Sequence, residues 1–427
     1  NNALARADSW FNSMRSADGY GGPVAHWWQQ SLMYTGPGLD WRYEGIIHSY
    51  VNLWTRTGND HWLNKAIRAA DDLIAGQSDD GHFRASAFEM NPSSGGTPHE
   101  AACDIGLLLV AAELKSAGDL RWAAYSDCAQ RNLERFALGQ LWDPDTQSIG
   151  DSTSSEAFVP NKAATWSEAF FLLSEVVENP EWAERYAIPT LRRVMNHQIQ
   201  GRGDLDGAIA QNSLGNKRVE KYFPVYIARC VSGLLQGYKW TNQEQYLDSA
   251  LRAMRFVARW LSEDGSLLTV VYANRRASAT PSWIAPLGDV LRAAEELTPF
   301  GFDADFRAVA RRLMAGQDES GGFQTGRGFA SQAFGSATDV PDVRDLLHVA
   351  GWCDKSFRYL SAHAGRDLPP QTPSRATFMS PCAFRGIRLQ FIETAEMIEI
   401  SDYRRVVYRW LKGDPWPEIA TPEFWLR

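Results

Sequence analysis

The sequence predicts an all-α protein, an (α/α)6 toroid in which six helical hairpins form an inner and an outer ring. Two observations predict this fold. A turn motif rich in Asp, Gly and Ser recurs six times along the 427 residues, at intervals of roughly 60 residues. The segments between the turns have helical periodicity, and they alternate between amphipathic and largely apolar patterns.

The turn motifs divide the chain into repeated units. Asp-Gly and Gly-Gly steps favour tight turns, so each motif is predicted to be a loop. The six motifs are SADGYGG (16–22), QSDDGHF (77–83), DPDTQSIGD (143–151), GDLDGAI (203–209), SEDGSLL (262–268) and QDESGGF (317–323).

Amphipathic helices are predicted to form the outer ring. Their apolar residues recur at positions i, i+3, i+4 and i+7, which gives one buried and one exposed face. These segments are 3–16, 60–76, 120–141, 180–199, 243–261 and 303–316.

Largely apolar helices are predicted to form the inner ring, because a helix that is apolar on most sides is usually surrounded by protein. These segments are 41–54, 99–115, 164–177, 222–238, 282–297 and 343–360.

The rest of the chain is predicted to complete a single domain, residues 1–427. SLLTVVYA (266–273) is the best strand candidate, and 364–375 is a predicted connector. Extra C-terminal helices are predicted within about 380–412. An open helical solenoid is the alternative architecture, and the count of six repeats favours a closed ring.

Composition and charge exclude several classes of protein. The net charge of −8 and the absence of a clustered basic stripe argue against a nucleic-acid-binding protein. No apolar run approaches the roughly 20 residues needed to cross a membrane. The five Cys form no CxxC pair and the eight His form no HExxH motif, so we expect buried thiols, no metal and no cofactor. We expect a soluble protein, cytoplasmic, or periplasmic or secreted after removal of a signal.

Polar and aromatic residues occur in the first turns of the predicted inner helices. Because these helices should run in the same direction, the residues are expected to meet at one end of the ring. They are Trp41, Arg42, Tyr43, Glu44, His99, Glu100, Asp104, Asn161, Lys162, Trp166, Lys221, Tyr222, Tyr226, Trp283, Asp342 and Asp345. Each one alone also fits a structural role, such as a charge at a helix end.

Helical spacing groups some of these side chains. Glu44 and His48 are four residues apart and share a face with Trp41. Glu100 and Asp104 are also four apart, so repulsion and burial should raise the pKa of one carboxyl group and suit it to proton donation. Two further faces hold Asn161, Thr165 and Glu168, and Tyr222, Tyr226 and Arg229.

The same residues predict the ligand. Helix N-termini favour anions, and Arg42, Lys162 and Lys221 add positive charge. Trp and Tyr rings suit the apolar faces of sugars. An anionic oligosaccharide that contains uronic acid fits both features. We expect the protein to be a monomer or a small homo-oligomer, with no nucleic-acid or membrane partner.

Two segments resemble a known family. WRYEGIIHSYVNLWTRTGNDHWLNKAIRAADDL (41–73) and HEAACDIGLLLVAAELKSAGD (99–119) are similar to the unsaturated glucuronyl and rhamnogalacturonyl hydrolases. The resemblance implies an (α/α)6 toroid that acts on 4,5-unsaturated uronic acids by protonating a vinyl ether and adding water. It also implies that Asp104 is an active-site carboxylate. The family's second aspartate and its R-G-x-x-W motif are absent here, where the chain reads FVPNKAATWSEAFF and EKYFPVYIARC.

The predicted function is a glycoside hydrolase of uronic-acid-containing oligosaccharides. Asp104 is the predicted general acid, Glu44 or Glu100 the second carboxylate, and His99 and His48 are predicted to orient the substrate or assist proton transfer. The predicted substrate-binding residues are Trp41, Arg42, Tyr43, Asn161, Lys162, Trp166, Lys221, Tyr226 and Trp283.

Three other functions fit the same residues. A polysaccharide lyase would use Tyr222 or His99 as its base, with Lys221 and Asn161 neutralising a carboxylate. A non-catalytic toroid would bind glycans or a protein. A sugar epimerase would exchange substrate hydrogen with solvent.

Overall fold

The computed structural model is predominantly helical. It describes residues 2–24, 33–34, 38–86, 99–151, 157–215, 217–332, 339–366, 368, 377–414 and 423–424. The first helices are α1 (Asn2–Ser13), α2 (Arg42–Thr57), α3 (Asp60–Gly76), α4 (Glu100–Ser116), α5 (Trp122–Asn132), α6 (Pro160–Val177) and α7 (Ile188–Asn196). They are followed by α8 (Pro224–Thr241), α9 (Glu244–Arg259), α10 (Leu287–Leu297), α11 (Arg307–Ala315), α12 (Val343–Leu346) and α13 (Ala350–Ser361). Helix α5 continues as a π-helical segment, Leu133–Leu141, and another, Ala183–Ala187, precedes α7.

The predicted (α/α)6 toroid is confirmed. Helices α2, α4, α6, α8, α10 and α13 each pack against the next, and α13 packs against α2, which closes the inner ring. Helices α1, α3, α5, α7, α9 and α11 form the outer ring, and their buried faces meet the inner helices. The alternation of amphipathic and apolar segments thus corresponds to the two rings.

Glycine allows the inner helices to approach closely. The backbone N–H of Gly45 on α2 donates to Asp354 Oδ2 on α13 at 3.1 Å. A Cβ atom at Gly45 would lie 2.3 Å from that oxygen, and one at Gly288 would lie 2.3 Å from the Lys355 carbonyl oxygen. Any larger residue at these positions would therefore push neighbouring helices apart.

The six turn motifs are loops, as predicted. The motif at 143–151 lies in a hairpin between two short strands, Trp142–Asp143 and Ser148–Ile149, and the other five are each closed by one isolated β-bridge. The bridges join Arg15 to Tyr20, Gln77 to Phe83, Gln198 to Ile209, Leu261 to Leu267, and Gln317 to Phe323.

Short strands lie between the helices of the ring along the chain. They are β1 (Pro23–Val24), β2 (Met33–Tyr34), β3 (Trp142–Asp143), β4 (Ser148–Ile149), β5 (Ala157–Phe158), β6 (Asn212–Leu214), β7 (Lys217–Val219) and β8 (Lys221–Tyr222). The next are β9 (Val270–Tyr272), β10 (Ala277–Ser278), β11 (Ser282–Trp283) and β12 (Gly326–Arg327). Strand β9 lies within the predicted strand 266–273.

The prediction of C-terminal helices within 380–412 is wrong. That region is an antiparallel sheet in the order β13 (Phe378–Phe384), β14 (Ile387–Glu393), β15 (Met397–Ser401) and β16 (Val406–Leu411). Side chains alternate between buried and more exposed along β14 and β15, which is the two-residue period of a strand. A further strand, β17 (Glu423–Phe424), pairs with β2.

Two predicted inner helices are shorter than expected. Helix α10 begins only after Pro286, since the residue before a proline is disfavoured in a helix. The segment 343–360 is interrupted, because Leu347 and Val349 are extended between α12 and α13. Most of the predicted connector at 364–375 lies outside the described residues.

A buried ionic cluster joins the sheet to the ring. The imidazole of His348 bonds to Glu393 Oε2 at 2.5 Å and to Asp318 Oδ2 at 2.6 Å. Glu393 Oε1 accepts from Trp10 Nε1 and from Lys412 Nζ, both at 2.8 Å. The two carboxylates outweigh the effect of burial and raise the pKa of His348 to about 9, so the imidazole carries a positive charge at neutral pH.

The state of the cysteines agrees with the prediction made from the sequence. All five Cys are free and buried, as predicted. Among the helices that the structure describes, none has the length and apolar character needed to cross a membrane.

Candidate active site

The six inner helices begin at the same end of the ring, because an outer helix running in the opposite direction connects each to the next. We call this end the mouth and define it by one side chain near the start of each inner helix. These side chains are Trp41, His99, Asn161, Tyr226, Trp283 and Trp352. All except Trp352 were predicted from the sequence.

Trp41 lies between an imidazole and two positive charges. The rings of Trp41 and His99 meet edge to face, with 5.7 Å between their centroids. Lys355 Nζ and the guanidinium carbon of Arg229 lie 4.8 and 5.8 Å from the centroid of the Trp41 ring. Such cation–π contacts fix the orientation of the indole at the mouth.

Next to Trp41, charged side chains from five of the six inner helices form a buried network that crosses the axis of the ring. We call it the axial network. Its members are Glu44, Glu168, Arg229, Asp289, Arg292, Asp354, Lys355 and Arg358.

Glu44 lies at the centre of the axial network. Its Oε1 atom accepts hydrogen bonds from Arg229 at 2.9 Å and from Arg358 at 2.5 Å. Arg229 also donates to Glu168 Oε2 at 3.0 Å, and Arg358 also pairs with Asp289. The cations are thus shared between carboxylates on different helices, which ties the helices together at the axis.

Glu44 is not suited to donate a proton, because its carboxyl group is ionised at neutral pH. Burial raises its pKa, but the charges of Arg229 and Arg358 outweigh burial and hold the pKa well below the usual range. Burial also raises the pKa of Asp354, to about 8, against the charge of Lys355, whose Nζ lies 2.6 Å from Asp354 Oδ2. Glu44 therefore remains ionised at neutral pH, and its role as the second catalytic carboxylate stays a prediction.

His48 lies one helical turn after Glu44 and is partly exposed. Burial and the positive charges of Arg292 and Arg358 lower its pKa well below the usual range. The imidazole is therefore neutral at neutral pH and can accept a proton.

Two small cavities lie beside the axis. One, with room for about one water molecule, lies between α8 and α10 and is lined in part by Arg229, Ser232 and Arg292. The other, also with room for about one water molecule, lies at the mouth between α6 and α8, and Asn161 and Tyr226 line it. Within the described ranges, no group of three or more His, Cys, Asp or Glu side chains is arranged to hold a metal ion.

Asp104 and Glu100 do not face the axis, contrary to the sequence-based expectation. Glu100 accepts hydrogen bonds from Ser86 at 2.7 Å and from Asn132 on α5 at 2.5 Å. Asp104, one turn further on the same face, is fully buried beneath the outer layer, and burial and the charge of Glu100 raise its pKa well above the usual range. The spacing argument predicted this pKa shift correctly, but it did not determine which neighbouring helix the carboxyl group meets.

Two predicted aromatic site residues, Tyr43 and Trp166, also face the outer ring. Tyr43 donates to Asp72 on α3 at 3.0 Å. The Trp166 ring contacts Phe136 in the outer layer at 6.0 Å. Both side chains are fully buried, so neither can contact a substrate at the mouth.

Tyr222 does not supply a catalytic base at the axis. Its ring contacts Phe256 on the outer helix α9 at 6.2 Å, and its backbone pairs with Val271 of β9. Burial and the charge of Glu220 raise its pKa to about 12, so the phenol is neutral.

The three cations predicted to bind a substrate carboxylate either pair with another side chain or lie on the protein surface. Arg42 is buried and makes a bidentate pair with Asp40 at 2.8 and 2.9 Å. Lys162 pairs with Asp151 at 3.0 Å, and Lys221 is an exposed residue of β8. Two cations of the axial network, Arg229 and Lys355, lie next to Trp41 at the mouth.

Asp345 lies at the mouth end of the ring, and the pKa of its carboxyl group suits a general acid. It lies in α12, which packs against β12, and β12 pairs with the strand that carries Trp283. Trp283 in turn packs against Trp352, with 5.7 Å between the ring centroids. Asp345 is partly exposed, and burial together with the charge of Asp342 raises its pKa to about 6.

Sequence reasoning missed most of the axial network. It placed Glu168 and Arg229 on shared helix faces but did not predict them as site residues, and it did not single out Arg292, Lys355 or Arg358. The available signal was a charged residue three or four positions from an opposite charge inside an otherwise apolar helix. Asp289–Arg292 and Asp354–Arg358 have this spacing.

Solved structures of three sugar enzymes share the architecture. The chain is similar to cellobiose 2-epimerase from Bacillus thermoamylovorans, with 13% identity, 82% of this chain and 95% of the other covered, and a TM-score of 0.62. It is also similar to a D-mannose isomerase, with 11% identity, 84% and 96% covered, and a TM-score of 0.62. A third is an unsaturated glucuronyl hydrolase from a Bacillus species, with 13% identity, 84% and 94% covered, and a TM-score of 0.58.

Comparison of the sequence itself identifies no family for this chain. No family model matches the chain, and no curated protein matches it. At these low identities the likeness shows the fold alone. The chain is an (α/α)6 toroid, the architecture it shares with an epimerase, an isomerase and a hydrolase of sugars.

Proposed function

We propose that this protein is a carbohydrate-active enzyme that binds a saccharide at the mouth. The observation that carries the proposal is the composition of the mouth, where the six inner helices contribute four aromatic rings, one imidazole and one amide. Tyr226 is partly exposed and can pack against the apolar face of a sugar, whereas Trp41, Trp283 and Trp352 expose only 6%, 3% and 5% of their surface. Amide and imidazole groups hydrogen-bond sugar hydroxyls. The sugar enzymes of the same fold support this proposal.

Hydrolysis of a uronic-acid-containing oligosaccharide is the first reaction that we propose. It needs a general acid that is protonated near neutral pH, and Asp345 has the required acidity and partial exposure. Asp104 lies beneath the outer layer and is replaced by Asp345 in this role. Lys355 and Arg229 provide positive potential next to Trp41, which favours an anionic substrate.

A screen of uronate polysaccharides and their lyase digests tests this proposal. Loss of the ultraviolet absorbance of unsaturated uronic acids, or release of new reducing ends, would support hydrolysis. A rise in that absorbance would indicate a polysaccharide lyase, for which His99 remains the predicted base. Binding of glycans without turnover of any of them would contradict an enzyme and favour the non-catalytic toroid.

Epimerisation or isomerisation of a sugar is the second candidate, and the neutral His48 beside the axial network favours it. A neutral imidazole can remove a proton from carbon next to a carbonyl group, and nearby guanidinium groups can stabilise the resulting anion. Incorporation of solvent deuterium into a reducing sugar would support this candidate. It would also separate the candidate from hydrolysis, which leaves the carbon-bound hydrogens of a saturated sugar in place.

A further inference from the structure

Three strands next to the mouth place two cations and an aromatic ring side by side. Lys221 of β8 lies opposite Tyr272 of β9. In the hairpin of β9 and β10, Ala277 lies opposite Val271, which puts Arg276 opposite Tyr272, and Tyr272 N donates to the Arg276 carbonyl at 2.9 Å. Opposite residues of antiparallel strands point to the same face, so the three side chains Lys221, Tyr272 and Arg276 form one row, which we call the rim row.

The rim row faces solvent. Lys221 and Arg276 are exposed, and Tyr272 between them is partly exposed. The neighbouring opposite pair, Tyr222 and Val271, is fully buried, so the other face of these strands packs against the protein. Because adjacent strands lie about 5 Å apart, the backbones of the two cations are separated by roughly 10 Å. That separation is similar to the length of a disaccharide.

The rim row adjoins the mouth. The Lys221 carbonyl accepts a hydrogen bond of 2.8 Å from the backbone N–H of Gln211, and Gln211 lines the small mouth cavity together with Tyr226. Lys221 also precedes by three residues the start of the inner helix α8 at Pro224. A saccharide chain that contacts Tyr226 at the mouth can therefore continue onto the rim row.

The two cations of the rim row are available to a ligand. Within the part of the chain that the structure describes, neither of them forms an ion pair. The acidic residues beside the row are paired with other cations, Glu220 with Arg202 at 2.6 Å and Asp204 with Arg275 at 4.0 Å. The protein carries a net charge of −8, so an anionic ligand is attracted only where positive charge is concentrated locally.

We infer that the rim row binds an anionic segment of a saccharide chain outside the mouth. This inference rests on the proposed function and deepens it, because it makes the substrate a chain of several acidic units. The ammonium group of Lys221 and the guanidinium group of Arg276 pair with carboxylate or sulfate groups, and the ring of Tyr272 packs against the apolar face of a sugar between them. An acidic peptide offers the charges without such a face.

Matched ligands test the rim row. We would titrate the full chain with a hexamer of galacturonic acid and with its methyl ester, which differ in charge, and measure the affinity by calorimetry. The acidic hexamer should bind more tightly, and added salt should weaken its binding. The variant Lys221→Ala/Arg276→Ala should weaken binding of the hexamer by about tenfold, because it removes two exposed charge pairs, and should reduce the salt dependence.

Control variants separate the possible outcomes. Lys239→Ala/Arg255→Ala removes the same charge from exposed positions outside the rim row and should leave the affinity unchanged. Tyr272→Ser should weaken binding of the hexamer but not of hexaglutamate, which has the carboxylates without sugar rings.

Three results would overturn the rim row and leave the proposed function standing, because the activity screen on short saccharides reports on the mouth alone. They are no binding of the hexamer, an equal loss in the control variant, and hexaglutamate binding as tight as that of the hexamer. Failure of every saccharide, in this titration and in the activity screen, would overturn both.

Discussion

The amino group of Lys355 lies 4.8 Å from the centroid of the Trp41 ring and donates a hydrogen bond of 3.2 Å to the Trp41 carbonyl oxygen. Lys355 belongs to α13 and Trp41 precedes α2, so this pair joins the two ends of the inner ring. It also connects the mouth with the axial network, because Lys355 is a member of that network. A ligand that packs against Trp41 would therefore lie close to a charge that is fixed by the closure of the ring.

Glu44→Gln should strongly destabilise the fold. The change leaves the buried guanidinium groups of Arg229 and Arg358 without their central carboxylate, and breaking a buried ion pair from one side costs about 3–5 kcal/mol. The free energy of unfolding from denaturant titration measures the loss. Glu181→Gln, at an exposed pair with Arg185, should change it by less than about 1 kcal/mol.

The effect of Glu44→Gln should depend on pH. Because the folded-state pKa of Glu44 is lowered, its stabilisation is present above the ordinary pKa of 4.5 and is lost as the pH falls below that value. The difference between wild type and variant should therefore narrow in acid. A difference that is constant from neutral pH to strongly acidic pH would contradict an ionised Glu44.

The variant Asp104→Asn tests whether Asp104 is catalytic, as the family resemblance implies, or only a buried structural residue. The resemblance implies a catalytic Asp104, whereas the structure buries this carboxyl group beneath the outer layer. We expect the variant to retain kcat within a few fold of the wild type, measured on the substrate that the activity screen identifies. A loss of about a hundredfold or more would show instead that Asp104 takes part in proton transfer.

Asp104→Asn should also stabilise the protein at neutral pH. The pKa of Asp104 is raised on folding, so its burial destabilises the fold increasingly as the pH rises above the ordinary value of 3.8. The stability gain should shrink toward that pH. Asp145→Asn, on an exposed turn, provides the control and should show no such gain.

Asp345→Asn should lower kcat by about 10²- to 10⁴-fold if Asp345 donates the catalytic proton. In the wild type, activity should fall as the pH rises above about 6, because the acid must be protonated. The variant should lose this decline. Asp339→Asn, at an exposed pair with Arg388, should keep both the rate and the pH profile, and a variant Asp345→Asn with wild-type kcat would exclude the proposed role.

His348→Gln should remove a pH-dependent part of the stability. The folded-state pKa of His348 is raised from 6.5 to about 9, so its contribution is full below pH 6.5 and is lost as the pH rises through about 9. That shift corresponds to about 3 kcal/mol at most. Denaturant titrations near both pH values measure it, with the exposed His363→Gln as control, and equal losses at the two pH values would contradict a charged His348.

The periodicity of the sequence determined the two rings. A period of 3.6 residues with one apolar face defined the outer helices, and a more uniform apolar character defined the inner ones. The C-terminal sheet was missed although its period of two is present, with Leu389 and Phe391 buried and Arg388 and Gln390 turned outward. Short apolar runs are ambiguous between strand and helix, and only the pairing of strands resolves them.

Tertiary structure decided the candidate site. Spacing along a helix determines which residues share a face, but it does not determine which neighbour that face meets. Glu44 and Asp104 looked alike in the sequence, as carboxylates in the early turns of inner helices, yet guanidinium charges at the axis lower the pKa of Glu44, whereas burial beneath the outer layer raises the pKa of Asp104. The difference arises from guanidinium groups on α8 and α13, far away in the chain, which only the closure of the ring brings to Glu44.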